Sequence, residues 1–342
     1  MASFPAQLAL SALVMGGVVT ALFLVGQHAT PRGSVPVGPG QAATAAVASF
    51  PRAGAQGARA LLPARSWLVV DFDGRLTGSS PFAKASGDCA NVAPPERIGL
   101  SIVGGAAPSE GLTLLLVSPA VSADFWRCVR AQVLGAGGRE LASEQGVERL
   151  ESPSGVIVHQ GGRLLFASER SYEGELVRLA RGEAPSAEAA DPHAALAAAL
   201  PGPPSAPLVA TLRLPSGWLA GVGPEAAQSP LRHLTAGALR ADADGGAQGT
   251  LECLKPGCEE LAAFLIRARG DLGRDLPPPL GEATERSWSA SLAPAEDPLH
   301  RRIGLRWNPQ GVTFADWVSG VWGALAKETA KEAPEPPPLP PP

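Results

Sequence analysis

The sequence predicts an α+β fold of two similar lobes that follow a single transmembrane helix. Three observations lead to this prediction: an uncharged apolar stretch near the N terminus, strand and helix periodicities that alternate over residues 63–331, and a repeat of their order at an offset of about 140 residues. We interpret the repeat as an internal duplication. Each lobe is expected to be β-β-β-α-β-β-α, with a mostly antiparallel sheet and helices on one side.

The N-terminal stretch has the length and composition of a membrane span. The first 31 residues contain no Asp, Glu, Lys or Arg, and residues 8–26 (LALSALVMGGVVTALFLVG) are almost entirely apolar. Because no basic residue precedes this stretch and no small-x-small cleavage site follows it directly, an uncleaved anchor is favoured over a secretory signal peptide. We therefore expect a short tail at 1–7 and a single-pass helix at 8–26, which makes the membrane a partner of the chain.

Two segments have the composition of flexible chain. Residues 27–62 consist mainly of Ala, Gly, Pro and Ser with scattered Arg, and residues 332–342 (EAPEPPPLPPP) are rich in proline. Neither has an apolar face to bury, so the first is predicted to be a flexible linker and the second a disordered tail. Between them, lobe 1 is expected at 63–182 and lobe 2 at 207–331, joined by a linker at 183–206.

The first lobe is predicted from periodicity and turn residues. Leu68, Val70 and Phe72 alternate with Val69, Asp71 and Asp73, as in a half-buried strand, and Gly161-Gly162 supplies a hairpin turn. The predicted elements are strands at 68–73, 98–103 and 112–117, a helix at 122–134, hairpin strands at 156–160 and 163–168, and a helix at 172–181.

The second lobe repeats this order. Its predicted elements are strands at 208–214, 237–244 and 247–254, a helix at 259–272, strands at 287–292 and 299–307, and a final amphipathic helix at 314–330. Leu68 aligns with Leu208 at an offset of 140, and Ser122 aligns with Glu260 at an offset of 138. The duplication hypothesis rests on this order of elements, since few residues are identical between the lobes.

The four cysteines, Cys89, Cys128, Cys253 and Cys258, favour disulfide bonds. Four cysteines allow three pairings, but the turn at 254–257 can bring Cys253 and Cys258 together, which leaves Cys89 with Cys128. A zinc site of four thiolates is the alternative, and the spacings fit it poorly. Disulfides place the lobes in the periplasm. If the positive-inside rule is applied literally, the arginines that follow the apolar stretch place the lobes in the cytoplasm instead.

Residues 67–76 (WLVVDFDGRL) end a predicted strand with two carboxylates. This segment resembles the first motif of the haloacid dehalogenase superfamily, D-x-D-G-[TV]-[LI]. The resemblance implies a Mg²⁺-dependent phosphohydrolase with Asp71 as nucleophile and Asp73 as general acid/base. However, Arg75 stands where the motif has Thr or Val, and residues 140–170 have the pattern of hairpins and not of βα units. The competing hypothesis is an acidic pair on a solvated strand face.

The remaining composition gives little support to an enzyme or a nucleic-acid-binding protein. The 28 basic and 32 acidic residues form no basic cluster. The histidines lack ligand or triad spacing; they are His28, His159, His193, His233 and His300. We therefore favour a non-enzymatic binding or scaffold module with no cofactor, no metal and no catalytic residue. It is expected to be anchored in the bacterial inner membrane with its globular part in the periplasm, where an unidentified envelope protein is a candidate partner.

Overall fold

The computed structural model describes residues 57–74, 92–93, 95–104, 112–188, 193–200, 206–215, 228–242, 244–276, 278–293, 299–314 and 316–317. The predicted transmembrane helix at 8–26, the tail at 1–7 and the proline-rich tail at 332–342 lie outside these residues. Within the described ranges, the structure contains no helix that is both long enough and apolar enough to cross a membrane.

The described strands form one sheet in which every neighbouring pair is antiparallel. They are β1 (Leu68–Asp73), β2 (Arg97–Gly104), β3 (Leu112–Ser118), β4 (Arg139–Glu144), β5 (Val147–Ser152), β6 (Gly155–Gln160), β7 (Arg163–Ala167), β8 (Leu208–Arg213), β9 (Leu234–Ala241), β10 (Ala247–Leu254), β11 (Trp288–Leu292) and β12 (His300–Trp307). Their order is β11-β12-β10-β9-β8-β1-β2-β3-β7-β6-β5-β4. The predicted α+β class with a mostly antiparallel sheet is confirmed.

The helices of the described chain are short compared with the sheet. They are α1 (Ala123–Gly135), α2 (Glu173–Arg181), α3 (His193–Ala198), α4 (Cys258–Asp275) and α5 (Leu280–Ser287), and 3-10 helices lie at Ala58–Leu61, Arg170–Tyr172 and Pro230–His233. Ser122 caps α1, where its Oγ accepts a hydrogen bond from the Phe125 N–H at 3.1 Å. Gly182 ends α2 at a φ of 74°, a left-handed conformation that glycine adopts without steric cost.

Strands β1 and β8 pair at the centre of the sheet and divide it into two halves, which we call half 1 (57–188) and half 2 (193–317). From this junction outward, β1-β2-β3-β7-β6 matches β8-β9-β10-β12-β11 in order and direction. The predicted offset of 140 residues maps the pair Leu68–Leu212 onto the pair Leu208–Phe72, so the register at the junction is itself symmetric. A duplication would produce this arrangement, and the duplication itself stays a prediction.

Helices cover both faces of the sheet. We call the face with Leu68, Val70 and Phe72 face A, and the face with Val69 and Asp71 face B. On face A, Trp126 of α1 packs near Leu150 and Ile157. Helices α4 and α5 also lie on face A. Leu261, Leu265 and Ala268 of α4 and Ala283 of α5 belong to the large apolar cluster that contains the face A residues of β1.

On face B, Leu176 and Leu179 of α2 pack against the apolar strand residues of half 1. Leu196 of α3 packs against Ala236 and Ala238 of β9. The prediction that the helices lie on one side of the sheet is therefore wrong. Apolar residues at consecutive positions of β6 and β7 require cover on both faces, and α1 and α2 provide it from opposite sides.

The outer strands of half 2 are buried on one face only. Their face B side chains are half-buried or exposed and mostly polar. We call this surface the open face; its residues are Gln248, Thr250 and Glu252 of β10, Arg302, Gly304 and Arg306 of β12, and Ser289 and Ser291 of β11.

Several elements lie where the sequence predicted linker. Ala58, Leu61 and Leu62 are buried in the core of half 1, although they belong to the segment 27–62 that was predicted to be flexible. Helix α3 lies in the predicted inter-lobe linker at 183–206. Strands β4 and β5 were not among the predicted elements, although residues 140–170 were assigned the pattern of hairpins, and helix α5 was not predicted. Most of the predicted final helix at 314–330 lies outside the described residues.

Candidate functional site

Asp71 lies at the centre of the sheet and is only 4% exposed. The expectation of a solvated acidic pair is therefore wrong for this residue. The reason is local cover, because the chain just before the first 3-10 helix lies directly on the carboxylate. A Cβ atom at Gly57 would lie 2.7 Å from Asp71 Oδ2, so this close approach requires glycine.

Arg97 of the neighbouring strand neutralises Asp71. Its Nε and Nη2 lie 3.0 Å and 2.7 Å from Asp71 Oδ1, and its Nη1 donates to the carbonyl of Ala206 at 3.0 Å. Burial raises the pKa of the Asp71 carboxyl, and the positive charges of Arg97 and Arg59 act against that rise. Arg97 therefore connects Asp71 in β1 to Ala206, which lies just before β8.

Arg59 extends the charged cluster from the 3-10 helix Ala58–Leu61. It is 8% exposed, and its Nη2 donates to the carbonyl of His193 at 2.9 Å. Burial lowers the pKa of the Arg59 guanidinium, while the charges of Asp71 and Glu188 raise it. A residue from the predicted flexible linker thus contacts the first residue of α3, 134 positions away.

His193 is fully buried between the halves. Its Nε2 lies 2.7 Å from the carbonyl oxygen of Ser66, and its Nδ1 lies 2.9 Å from Oγ1 of Thr211. A carbonyl oxygen only accepts, so Nε2 carries the proton and Nδ1 accepts from the Thr211 hydroxyl. Burial lowers the pKa of His193, and the nearby charges of Arg59 and Arg213 lower it further. The neutral imidazole therefore links Ser66, just before β1, to Thr211 of β8.

Arg240 of β9 differs from the other buried arginines. It is 6% exposed and lies on face B in the same cross-strand row as Asp71 and Val209. Its Nε and Nη1 have no hydrogen-bond partner among the residues that the structure describes. We call the set of Arg59, Asp71, Arg97, His193, Thr211 and Arg240 the seam cluster.

The charges around the seam cluster balance, but Arg240 has no acceptor of its own. Arg59 and Arg97 interact with the carboxylate of Asp71, and the exposed Glu188 influences Arg59 and Asp71. Arg213, Asp73 and Asp242 lie further along the same face. A buried guanidinium group without a hydrogen-bond partner is costly, so the position of Arg240 favours the binding of an anion.

The geometry around Asp71 and Asp73 differs from what the haloacid dehalogenase resemblance implies. Both neighbours of β1 run antiparallel to it, whereas that resemblance requires a doubly wound parallel sheet. Asp71 is bound by Arg97, and the backbone N–H of Asp73 donates to the carbonyl of Pro207 at 2.8 Å. Among the described residues, no group of three or more His, Cys, Asp or Glu side chains is placed to hold a metal ion.

The cysteines lie away from this cluster. Cys253 at the end of β10 and Cys258 at the start of α4 form a disulfide, with their Cα atoms 5.5 Å apart, which confirms that predicted pair. Cys128 of α1 is also disulfide-bonded. Its predicted partner, Cys89, lies outside the described residues.

Most residues of the seam cluster could not be predicted from the sequence. Arg59 lies in a segment with the composition of a linker, and His193 lies between the predicted lobes. Arg240 stands between two apolar residues in a predicted strand, a pattern that normally indicates a solvent-facing side chain. The one sequence relation between members of the cluster is the offset of 140, which aligns Asp71 with Thr211 as equivalent positions of the two halves.

Comparisons with known proteins find a weak likeness to solved structures. No family model matches the chain, and no curated protein matches it. Crystal form I of TP0453 has 9% sequence identity and a TM-score of 0.44, covering 80% of this chain and 99% of that chain. Crystal form III has 9% identity and a TM-score of 0.45, covering 81% and 100%. Crystal form IV has 11% identity and a TM-score of 0.43, covering 77% and 95%. A likeness at this level carries no functional inference.

Proposed function

We propose that this chain is a membrane-anchored, extracytoplasmic binding or scaffold module without enzymatic activity. Residues 8–26 serve as the anchor and residues 27–56 tether the two halves to it. The proposal combines the apolar N-terminal stretch with the chemistry of the cysteines and of the seam cluster. A bacterial envelope is the compartment that suits all three features, and an envelope protein or ligand is the expected partner.

The state of the cysteines is the observation that carries the proposal. Cys253 and Cys258 are bonded to each other, and Cys128 is bonded as well. Structural disulfides persist in oxidising compartments and are rare in the cytoplasm. The disulfides therefore support an extracytoplasmic location for the two halves, against the literal reading of the positive-inside rule.

The seam cluster supports binding over catalysis. A general acid, general base or nucleophile must reach its substrate. Here Asp71 is engaged by Arg97, and both nitrogens of His193 are engaged by Ser66 and Thr211. These interactions hold the two halves together. The group with unused hydrogen-bonding capacity is Arg240, which can bind an anion but has no acid–base role at neutral pH.

Protease accessibility in a bacterial host tests the proposed location. The full chain is expressed, and intact cells, spheroplasts and lysed spheroplasts are treated with trypsin. We expect the protein to sediment with membranes, to resist trypsin in intact cells and to be cleaved in intact spheroplasts. A cytoplasmic protein processed in the same samples serves as the control for spheroplast integrity.

Two results would contradict the proposal. Cleavage only after the spheroplasts are lysed would place the halves in the cytoplasm. Recovery of the full-length chain in the soluble fraction would show that residues 8–26 do not anchor it. A variant with Val18→Arg and Leu22→Arg in the apolar stretch provides a matched control, because it should lose sedimentation with membranes.

A further inference from the structure

We propose that Arg240 and Arg306 form a site for an oxyanion, either a phosphate or a carboxylate group of a ligand, at the margin of the open face. This inference rests on the proposed binding function and names the chemistry of the ligand. It depends on the position of the two arginines, on the charge around them and on the unpartnered nitrogens of Arg240.

The two arginines lie in one row across the sheet. Gln248 of β10 pairs with Arg240 of β9 on one side and with Arg306 of β12 on the other. Neighbouring strands are about 4.8 Å apart, so the two arginine Cα atoms lie about 10 Å apart on the same face. Two side chains of this length can converge on one ligand group above Gln248.

Arg240 needs an acceptor that its acidic neighbours do not provide. Its Nε and Nη1 are buried, and no residue in the described part of the chain accepts a hydrogen bond from them. Asp71 is held by Arg97, and Glu188 is exposed. Asp242 lies two residues further along the same face, but it makes no hydrogen bond to Nε or Nη1 of Arg240. An oxyanion would satisfy these donors and pair with the charge of Arg240.

The covering of face B ends beside this site, where Arg240 itself is 6% exposed. Helix α3 covers Ala236 and Ala238 of β9, whereas Gln248 is half-buried and Arg306 is exposed. Arg240 therefore lies where the covered part of face B meets the open face. A ligand on the open face can contact Arg306 first and place its anionic group against Arg240.

The guanidinium group determines the class of ligand. Its planar arrangement of N–H groups matches two oxygens of one phosphate or one carboxylate, and its charge persists at any physiological pH. Both oxyanions satisfy the same donors, so the test includes one probe of each kind.

The test measures the stabilisation of the full chain by simple anions. The protein is purified in a non-ionic detergent, and thermal unfolding is followed through the fluorescence of the Trp288, Trp307 and Trp317 cluster. Inorganic phosphate and acetate are titrated separately against chloride at equal ionic strength. Either probe is expected to raise the unfolding temperature in a saturable way, because an anion that binds only the folded state stabilises it.

Three variants locate the effect. Arg240→Met should weaken the apparent affinity for the effective anion at least tenfold, and Arg306→Met should weaken it severalfold. Arg302→Met is the matched control, since Arg302 lies exposed on the same strand and face as Arg306 and pairs with Glu252. It changes the net charge equally and should leave the affinity unchanged. If Arg240→Met does not fold in chloride, the comparison of Arg306→Met with Arg302→Met decides the question.

The proposal is overturned if neither anion stabilises the protein beyond chloride, or if Arg240→Met responds as the wild type does. It is also overturned if Arg302→Met and Arg306→Met weaken binding equally, since the effect would then be one of net charge. Any of these results together with trypsin cleavage in spheroplasts would reject the anion site and leave the proposed location standing. Cleavage only after lysis would reject the location and leave the anion result to stand by itself.

Discussion

The two halves of the molecule share a strand order but cover their strands differently. In half 1, strand β3 (LTLLLVS) presents apolar residues at consecutive positions, and both faces of the strand are covered. In half 2, strand β12 (HRRIGLRW) alternates between exposed and buried positions and is covered on face A only. The comparison shows that the number of covered faces of a strand can be read from its sequence, even where the position of the covering helix cannot.

The segment that follows the last strand of each half accounts for the difference. After β7, helix α2 packs on face B through Leu176 and Leu179. After β12, Phe314 and Trp317 belong to the face A cluster and stack with each other at 5.7 Å between ring centroids. Face B of half 1 is therefore apolar and closed, whereas the outer strands of half 2 present the polar open face.

The segment before β6 and β11 also differs. In half 1 it forms the hairpin β4–β5, which carries exposed ion pairs such as Arg139–Glu151 at 2.7 Å. Charged side chains on an edge strand oppose pairing with other chains. In half 2 the segment before β11 forms helix α5, which contacts β11 and adds no strand to the sheet. One end of the sheet is thus protected by charge, and the other end carries Ser289 and Ser291.

The strongest test of the comparison removes one face B side chain from an inner strand of each half. Leu115→Ala in β3 should lower the free energy of unfolding by about 4 kcal/mol, because it empties a fully buried position. Thr250→Ala in β10 should change it by about 0.5 kcal/mol or less, because Thr250 lies on the open face. Urea unfolding followed by tryptophan fluorescence measures both. Equal losses would show that face B is covered alike in the two halves.

A second test compares an ion pair of the seam with an ion pair of the open face. Arg97→Met should cost about 3 kcal/mol of unfolding free energy, because it leaves the Asp71 carboxylate buried without its partner. Arg302→Met should cost about 0.5 kcal/mol, since its pair with Glu252 is largely exposed. A cost for Arg97→Met as small as that for Arg302→Met would contradict the role of Asp71 in joining the halves.

A third test concerns the disulfide of half 2. The double variant Cys253→Ala/Cys258→Ala should lose about 2 kcal/mol, the value that loop closure predicts for a loop of this size. Dithiothreitol should lower the stability of the wild type by breaking this bond, whereas the double variant has no such bond to lose. Stability of the double variant equal to that of the wild type would show that packing alone fixes the corner between β10 and α4.

A fourth test uses pH to examine the neutral histidine at the junction. Because burial lowers the pKa of His193, the folded state binds its proton less well than the unfolded state, and stability falls as the pH drops below about 6.5. Asp71 acts in the opposite sense. Because its pKa is raised in the folded state, acid favours that state over a pH range that extends upward from the ordinary value of about 4.

The measurement is urea unfolding of the wild type and of His193→Gln between pH 7.5 and pH 5.5. The wild type should lose about 1 kcal/mol more than the variant over this range. Parallel pH profiles for the two proteins would mean that the pKa of His193 is the same in the folded and unfolded states, contrary to its burial and its hydrogen bonds with Ser66 and Thr211.

Periodicity was enough to predict most of the sheet. The alternation from Leu68 to Asp73 and the turn at Gly161-Gly162 gave strand β1 and the hairpin β6–β7. The individual strands β4 and β5 were missed because β4 is charged and exposed, as an edge strand is, and β5 has only Val147 and Leu150 buried, three positions apart. Helix α3 was missed because its six residues are too few to show a helical pattern.

The candidate site could not be predicted because its contacts span long distances in the sequence. Arg59 reaches His193 across 134 positions, and His193 reaches Ser66 across 127. Asp71 has the sequence pattern of a solvent-facing residue, and its burial depends on Gly57 and Arg97, which the strand pattern does not reveal. A local pattern predicts which residues alternate but not which distant segment covers them.

A peptide map of the native protein tests the account most directly. The full chain is isolated from bacterial membranes, its free thiols are alkylated, and it is digested without reduction. The account predicts a linked Cys253–Cys258 peptide and a second linked pair that joins Cys128 to Cys89. Four alkylated cysteines would contradict it, because the halves would then lie in a reducing compartment and the proposed extracytoplasmic binding module would have to be abandoned.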